Sequence, residues 1–261
     1  LTCQRPPGAS IWQSKLQLET EHHETVRGTM ERIRLYLSTE HPCGYLPQRT
    51  ARSLFVDPDF ALNPQRYEML LQQGFRRGGD HVYRPRCNGC AACIPARIPA
   101  AIFMPNRSQR RCLQNNADLQ LKIRQELTDE QFELYQRYLR GRHAGGGMNP
   151  EDKPGFHNFL DCGWGTAEFW EFRQDGRLVC CAVVDRTPLA LSAVYTFFDP
   201  DMVGRSLGTY AVLRQVLHAK QTQMDHVYLG YWVPGSRKME YKRNFKPLEI
   251  LSSRGWQALE T

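Results

Sequence analysis

No apolar run in these 261 residues approaches the roughly 20 that a membrane-crossing helix needs. The longest, LVCCAVV at 178–184, has the length of a buried strand. A soluble protein is expected. The first residues, LTCQRPPGASIWQ, lack both the basic start and the apolar centre of a secretory signal, so nothing argues for export and a cytoplasmic location is expected. Paired cysteines are lacking as well. Nine is an odd number, and singletons such as Cys112 and Cys162 beside the neighbours Cys180 and Cys181 make no disulfide framework. Acidic residues are scarce where basic ones crowd. Between positions 84 and 124 stand Arg84, Arg86, Arg97, Arg107, Arg110, Arg111, Lys122 and Arg124 against Asp118 alone, within a chain of net charge +7. Such a surface suits a polyanion; a solubilising face without a partner is the other reading of charge alone.

What is present is a foldable chain, 41% hydrophobic and 11% aromatic. Residues 1–29 show no sustained period and read as an extension before the pattern that begins at Met30. In ALNPQRYEMLLQQGF, Asn63 caps a helix, Pro64 fits its first position and Gly74 ends it. Thr128 and Gln131 form a capping-box pair ahead of Phe132, Tyr135 and Leu139 on one helical face. That helix runs into GRHAGGGM at 141–148, where a boundary is expected between an amino-terminal Cys/Arg-rich domain, 30–140, and a second domain, 141–261. Beyond it come the strands 167–173, 177–184 and 190–198 joined by short turns, an amphipathic helix from Leu207, and the strand HVYLGYW. This α+β order is that of a GNAT-like (acetyltransferase-like) mixed sheet with flanking helices. Enzymes of that kind hold the coenzyme A pyrophosphate on a small-residue turn opening the helix. Here the turn reads Arg205-Ser206-Leu207-Gly208-Thr209-Tyr210, and Tyr210 is expected to crowd it, which points to another acyl donor.

The segments CGYLPQRTARS, QGFRRGGDHVYRPRC, FMPNRSQRR, SLGTYAVLRQVL and YLGYWVPGSRKMEYKRNFKPLEIL resemble, from about Met30 to Leu251, the arginyl-tRNA-protein transferase family in its bacterial, leucine-transferring branch. The resemblance implies transfer of an amino acid from its tRNA ester to the α-amine of a protein beginning with Asp or Glu, leaving a degradation signal. It implies aminoacyl-tRNA and proteins with acidic amino termini as partners, and neither membrane nor DNA. The bacterial style of the motifs points to leucine; arginine as donor and a noncatalytic, metal-stabilised RNA-binding module are the alternatives, as is an acyl-CoA enzyme.

An activated ester needs no cofactor to react with an amine. The amine must be neutral, and with a pKa near 7.7–8.0 about 10–20% of it is so at pH 7. Asp185 is the candidate base or orienting carboxylate; a turn residue before Arg186-Thr187-Pro188 is its plain structural alternative. Arg84, Arg97, Lys238 and Lys242 are candidates for the acceptor's carboxylate, with Lys242 favoured as catalytic and Lys238 four residues away on the same face if that segment is helical. Tyr231 and Tyr241 are candidates for hydrogen bonds to the developing oxyanion or the amine. Arg107, Arg110 and Arg111, then Arg76 and Arg77, are the expected phosphate contacts. The stretch YRPRCNGCAACIPARI places Cys87, Cys90 and Cys93 at intervals of three. Relatives with a Cys-Gly-Tyr-Cys are associated with an iron–sulfur cluster, whereas this chain has Cys43-Gly44-Tyr45-Leu46. Cys43 with the later three remains a candidate four-thiolate site for zinc or a cluster; packing as reduced, buried thiols is the competing reading.

Overall fold

The computed structural model describes residues 19–25, 32–143 and 147–260. The extension expected over 1–29 therefore lies outside the described residues except for 19–25, and so do positions 144–146 of the glycine-rich stretch. In chain order the elements are β1 Glu19–Thr25, β2 Arg32–Leu37, β3 His41–Pro42, β4 Thr50–Ala51, β5 Ser53–Val56, α1 Pro64–Gln72, β6 Arg76–Gly78, β7 His81–Pro85 and β8 Ile94–Pro99. There follow α2 Arg107–Gln114, β9 Gln120–Arg124, α3 Asp129–Arg142, α4 Lys153–Leu160, β10 Ala167–Gln174, β11 Arg177–Arg186 and β12 Ala190–Phe198. The chain ends with α5 Leu207–Gln221, β13 His226–Trp232, a 3₁₀ turn Glu240–Asn244, β14 Glu249–Ser252 and β15 Gly255–Ala258.

Local chemistry accounts for these bounds. Asn63 accepts from Arg66 N–H, Pro64 occupies the first turn of α1, and Gly74 leaves it at φ +80°. Both halves of the Thr128/Gln131 capping box are made at α3. The strands β10, β11 and β12 read as continuous apolar runs because both their faces are covered. Trp170, Phe172, Cys180 and Ala182 pack with α5, whereas Phe169, Cys181 and Val183 pack with α3 and α4.

One mixed eight-stranded sheet, ordered β15-β14-β8-β13-β12-β11-β10-β9, forms the centre, and a five-stranded sheet, β1-β2-β5-β7-β6, lies beside it. The large sheet draws on both sides of the glycine-rich stretch. β8 lies between β13 and β14, and β9 flanks β10 at the edge, so strands from before position 141 join and extend those of the later segment. The parallel pair β12–β13, joined through the crossover α5, is in register only at Ala190–His226, Leu191–Val227 and Ser192–Tyr228. Beyond those positions the two strands part. Among the described residues no helix is long and apolar enough to cross a membrane.

Candidate active site

Where β12 and β13 part, a gap of about 30 Å³ opens between them, walled by Arg76, Val194, Thr196, Val212, Leu229, Met239, Tyr241 and Lys242 among others. Arg76 is 5% exposed and Lys242 3%. Among the described residues the lining is apolar apart from these two cations and a few hydroxyls, and none of them is Asp or Glu. Two features bring the arginine in. The register of β13 against β8 shifts between Tyr228 and Gly230, and Gly230 sits at φ +72°. A Cβ on Gly230 would lie 2.2 Å from Arg76 Nη1, so the guanidinium fills space that only glycine leaves vacant. Arg76 Nη2 donates to the Val194 carbonyl at 3.2 Å, and the group lies 5.8 Å from the centre of the Tyr231 ring. Lys242 Nζ donates to the Tyr231 carbonyl. Burial of this kind is costly for a cation, and the low dielectric around both strengthens any charge interaction they make.

A larger cleft of about 710 Å³ lies beside the gap, between α2, the start of α5 and the 3₁₀ turn. Among the described residues its wall holds Arg111, Arg205 and Lys246, the amides Asn106, Gln109, Asn115 and Asn244, and no carboxylate. Arg205 reaches away from the cleft's anion-free wall to Asp118, and Asn116 accepts from its Nε at 2.9 Å. Tyr241 lines both spaces and so connects them. The expectation about Tyr210 needs correction. Its ring packs on Phe172 in the core and its hydroxyl accepts from Arg214 at 2.8 Å. The turn offers Ser206 and Thr209 to the cleft instead, because residues one apart on a helix face different sides.

Several other expected site residues are placed elsewhere. Asp185 and Arg77 meet each other at zero side-chain exposure. Arg77 Nε lies 2.8 and 2.9 Å from the two carboxylate oxygens and Nη2 lies 2.6 Å from one. The same guanidinium donates to the Asp161 and Leu160 carbonyls at the end of α4, both at 3.0 Å. Burial alone would lower the Arg77 pKa, but the Asp185 carboxylate overrides it and holds the value above normal. Asp185 is thus no base for an incoming amine, and Arg77 reaches no phosphate: both are committed to the core. The Tyr231 hydroxyl donates to the Gly74 and Tyr83 carbonyls, at 3.0 and 3.2 Å, which ties β13 to the five-stranded sheet and takes that hydroxyl away from the gap.

Arg84 donates to the Gln73 carbonyl and covers the Phe75 ring. Arg97 pairs with Glu249 at 2.7 Å and stacks 4.2 Å from the Trp256 ring centre. Neither lines the gap. Lys238 is exposed and precedes the 3₁₀ turn, so it shares no helical face with buried Lys242. Arg107, Arg110 and Arg111 stand exposed on α2, with Arg111 on the cleft wall. The residues that sequence reasoning missed are Gly230 and the gap-facing role of Arg76. A glycine inside an otherwise regular strand pattern was the available signal.

Cys43, Cys87, Cys90 and Cys93 do come together around one mostly apolar pocket that Tyr231 also touches. The Leu46 and Arg52 amides donate to the Cys43 and Cys87 sulfurs at 3.4 and 3.5 Å. Burial, then the nearby Cys87, Cys43 and Cys90, push the Cys93 thiol up to about 12. Such a thiol is protonated at neutral pH. Among the described residues no three His, Cys, Asp or Glu side chains converge closely enough to hold a metal ion, and the eight described cysteines are free thiols.

Two family models match the chain: "Arginine-tRNA-protein transferase, N terminus" over 41–111 and "Arginine-tRNA-protein transferase, C terminus" over 130–252. Among curated proteins, an aspartate/glutamate leucyltransferase of Pseudomonas savastanoi pv. phaseolicola is 46% identical over 231 residues, 88% of this chain and 98% of that protein. Another from Pseudomonas aeruginosa is 47% identical over the same shares. Among solved structures, the carboxy-terminal domain of an Agrobacterium fabrum lysylphosphatidylglycerol synthetase aligns with a TM-score of 0.46 at 12% identity, covering 72% of this chain and 64% of that one. That likeness is too distant to bear on chemistry.

Proposed function

The chain belongs to the arginine-tRNA-protein transferase family, and from that premise we propose that it transfers leucine from leucyl-tRNA to the α-amine of proteins beginning with aspartate or glutamate. The observation that carries the choice of leucine is the wall of the gap. It offers Val194, Val212, Leu229 and Met239 to the side chain of the donor amino acid, together with two cations and, among the described residues, no carboxylate. An apolar side chain is accepted there; an arginyl side chain meets like charge without a counter-ion, which costs several kcal/mol by analogy with like-charge contacts at interfaces. In this reading the leucyl ester is presented at the mouth of the gap beside Tyr241, and the terminal nucleotides of the tRNA fill the 710 Å³ cleft, whose size and amide-rich wall suit them. Exposed Arg107, Arg110 and Arg111 extend the contact along the phosphates.

The chemistry needs no cofactor, because the ester is already activated. The amine nitrogen attacks the ester carbonyl, a C–N bond forms, the ester C–O bond breaks, and the proton lost by the amine ends on the ribose hydroxyl. With Asp185 sequestered, we assign no carboxylate base. The positive lining instead favours the neutral form of an α-amine drawn in beside it, which lowers that amine's pKa. Lys242 is the electrophile for the developing oxyanion, and Tyr241, which touches both spaces, stands by the leaving ribose oxygen. The fold is read as an acetyltransferase-like core, supported by the antiparallel β10–β11–β12, the α5 crossover and the splayed parallel β13. The partners and the chemistry suit the cytoplasm.

Purified protein, a reporter peptide beginning with Asp, and tRNA charged with labelled leucine or labelled arginine give the test. Transfer of leucine alone is expected. Arginine transfer would overturn the donor assignment, and transfer of neither would leave an RNA-binding module. Because the cleft at the start of α5 is open, acetyl-CoA is the control ligand, and it is expected to produce no thermal stabilisation.

A further inference from the structure

We propose that Met104 binds the aminoacyl end of the tRNA: its exposed side chain is the platform on which an unpaired base packs, while the arginines of α2 hold the neighbouring phosphates. The proposal rests on the reading above, in which the 710 Å³ cleft takes those nucleotides. Among the described residues five large apolar side chains stand exposed, Ile102, Met104, Ile123, Leu189 and Val203. Scattered singly, they would call for no explanation. Three of them are gathered. Met104, 72% exposed, belongs to the wall of the cleft, Ile102 lies two residues before it, and Val203 adjoins Gly204 on the α5 side of the same wall.

The segment that carries Met104 is held from several sides. Phe103 is buried, with its ring 6.4 Å from that of Phe245. Lys220 Nζ donates to the Phe103 carbonyl at 3.2 Å, and Arg110 Nη1 to the Pro105 carbonyl at 2.7 Å. Asn106 then opens α2 with both halves of a capping box, made with Gln109. A fixed backbone thus presents Met104, and little ordering of the chain is left to lose on binding.

Chemistry selects the occupant. The buried core of a protein–protein contact is depleted in charge. Here Arg107, Arg110 and Arg111 stand exposed on the helix that follows Met104, and Asn106, Asn115 and Asn244 line the same cleft. A partner that offers a flat apolar face and a negative charge at every step is a single-stranded nucleic acid. Methionine is among the apolar side chains that proteins press against or between bases, and its polarisable thioether makes favourable contacts with aromatic rings. Every base has such a face, so the platform needs no particular sequence.

The experiment measures binding of uncharged tRNA, intact or trimmed of its unpaired terminal nucleotides, to wild type, Met104→Ser, Met104→Leu and Val203→Ser. For intact tRNA, Met104→Ser is expected to weaken binding about fivefold, within the range of a sulfur–aromatic contact. Met104→Leu should stay within about twofold of wild type, because an apolar surface of similar volume remains. With trimmed tRNA, Met104→Ser and wild type should bind equally. The slope of log K against log salt should not change, since no phosphate contact is lost. In leucine transfer, Met104→Ser should raise the KM for leucyl-tRNA by a similar factor and leave the Asp-over-Asn preference, measured with peptides beginning with each residue, unchanged. Val203→Ser should show a loss of the same kind, dependent on the terminal nucleotides, and it serves as the readout if Met104→Ser does not fold. Unchanged affinity of a folded Met104→Ser for intact tRNA overturns the proposal, as does an equal loss with trimmed tRNA. A concentration-dependent dimer that Met104→Ser abolishes also overturns it, since a second copy would then cover the patch. Failure of the wild type to bind tRNA and to transfer leucine would instead refute the proposed function.

Discussion

Arg76 and Arg77 are adjacent in β6, both are buried, and they serve opposite ends. Arg77 meets a carboxylate at zero exposure and adds two carbonyls from the end of α4. Arg76 points the other way, into a gap whose described wall offers a carbonyl, an aromatic face and a second cation, with no acidic residue among the described residues. The alternation of a strand sends the two side chains to opposite sides. The difference teaches how to read a buried arginine. One that is clasped by a protein carboxylate belongs to the fold, whereas one that lines a gap beside a second cation makes the field of that gap positive.

Breaking the closed pair should have the largest effect. Asp185→Asn leaves the Arg77 charge buried opposite a neutral amide, and removal of one partner of a buried pair typically costs about 3–5 kcal/mol. Urea denaturation should show this loss, or a protein that no longer folds; a midpoint unchanged from wild type would mean that Asp185 is not committed to the pair. At the gap the effect should fall on rate instead. Lys242→Met is expected to lower kcat by about 10²–10³-fold, the usual size for loss of an oxyanion donor. Leucyl-tRNA affinity should stay within twofold of wild type. Equal losses in rate and tRNA binding would make Lys242 a binding residue and blur the contrast between the two regions.

The scaffold of this comparison was legible in the sequence, and its decisive contacts were not. Caps made of adjacent residues, such as Asn63 with Pro64 or Thr128 with Gln131, act locally and so reveal α1 and α3. The apolar runs of β10 to β12 and the face of α5 are likewise local patterns. Asp185 lies 108 residues from Arg77, and no local pattern announces which of two neighbouring arginines a distant carboxylate will choose. The four-residue spacing of Lys238 and Lys242 misled for a related reason: a period has meaning only inside a helix, and the segment forms only a short 3₁₀ turn after Lys238. The cysteines were legible as a group drawn to one pocket, because three of them share a segment that packs against Cys43. Gly230 was the clearest missed sign, since a strand tolerates glycine poorly unless something must come close.

The outer cleft sharpens the contrast from a third direction, because Arg111 and Lys246 on its wall are exposed where Arg76 and Lys242 are buried. Replacing Arg111 by Ala should weaken leucyl-tRNA binding without altering the Asp-over-Asn preference. The slope of log K against log salt should fall by about 0.7 for a contact to a single-stranded phosphate. Measurement of binding across a salt series checks it, and an unchanged slope would remove Arg111 from the phosphate path.

The smallest expected effect lies at His143, which caps α3 beside Tyr138, with 3.4 Å between its Nε2 and the tyrosine hydroxyl. Burial, and then neighbouring positive charge that includes Lys238 and Arg142, lower its pKa to about 4. The folded protein therefore favours the neutral ring, and the unfolded chain binds the proton more readily below the ordinary value of about 6.5. The stabilising contribution is complete above that value and is lost as pH falls through about 4, so stability should slope downward across this window. The ring is only partly buried, and solvent screening keeps the slope shallow. Urea midpoints at pH 7, 5.5 and 4.5 should converge between wild type and His143→Gln as the acid end is approached, because the variant has no proton to take up there. Parallel curves would show that neither burial nor the charges of Lys238 and Arg142 shift the ring.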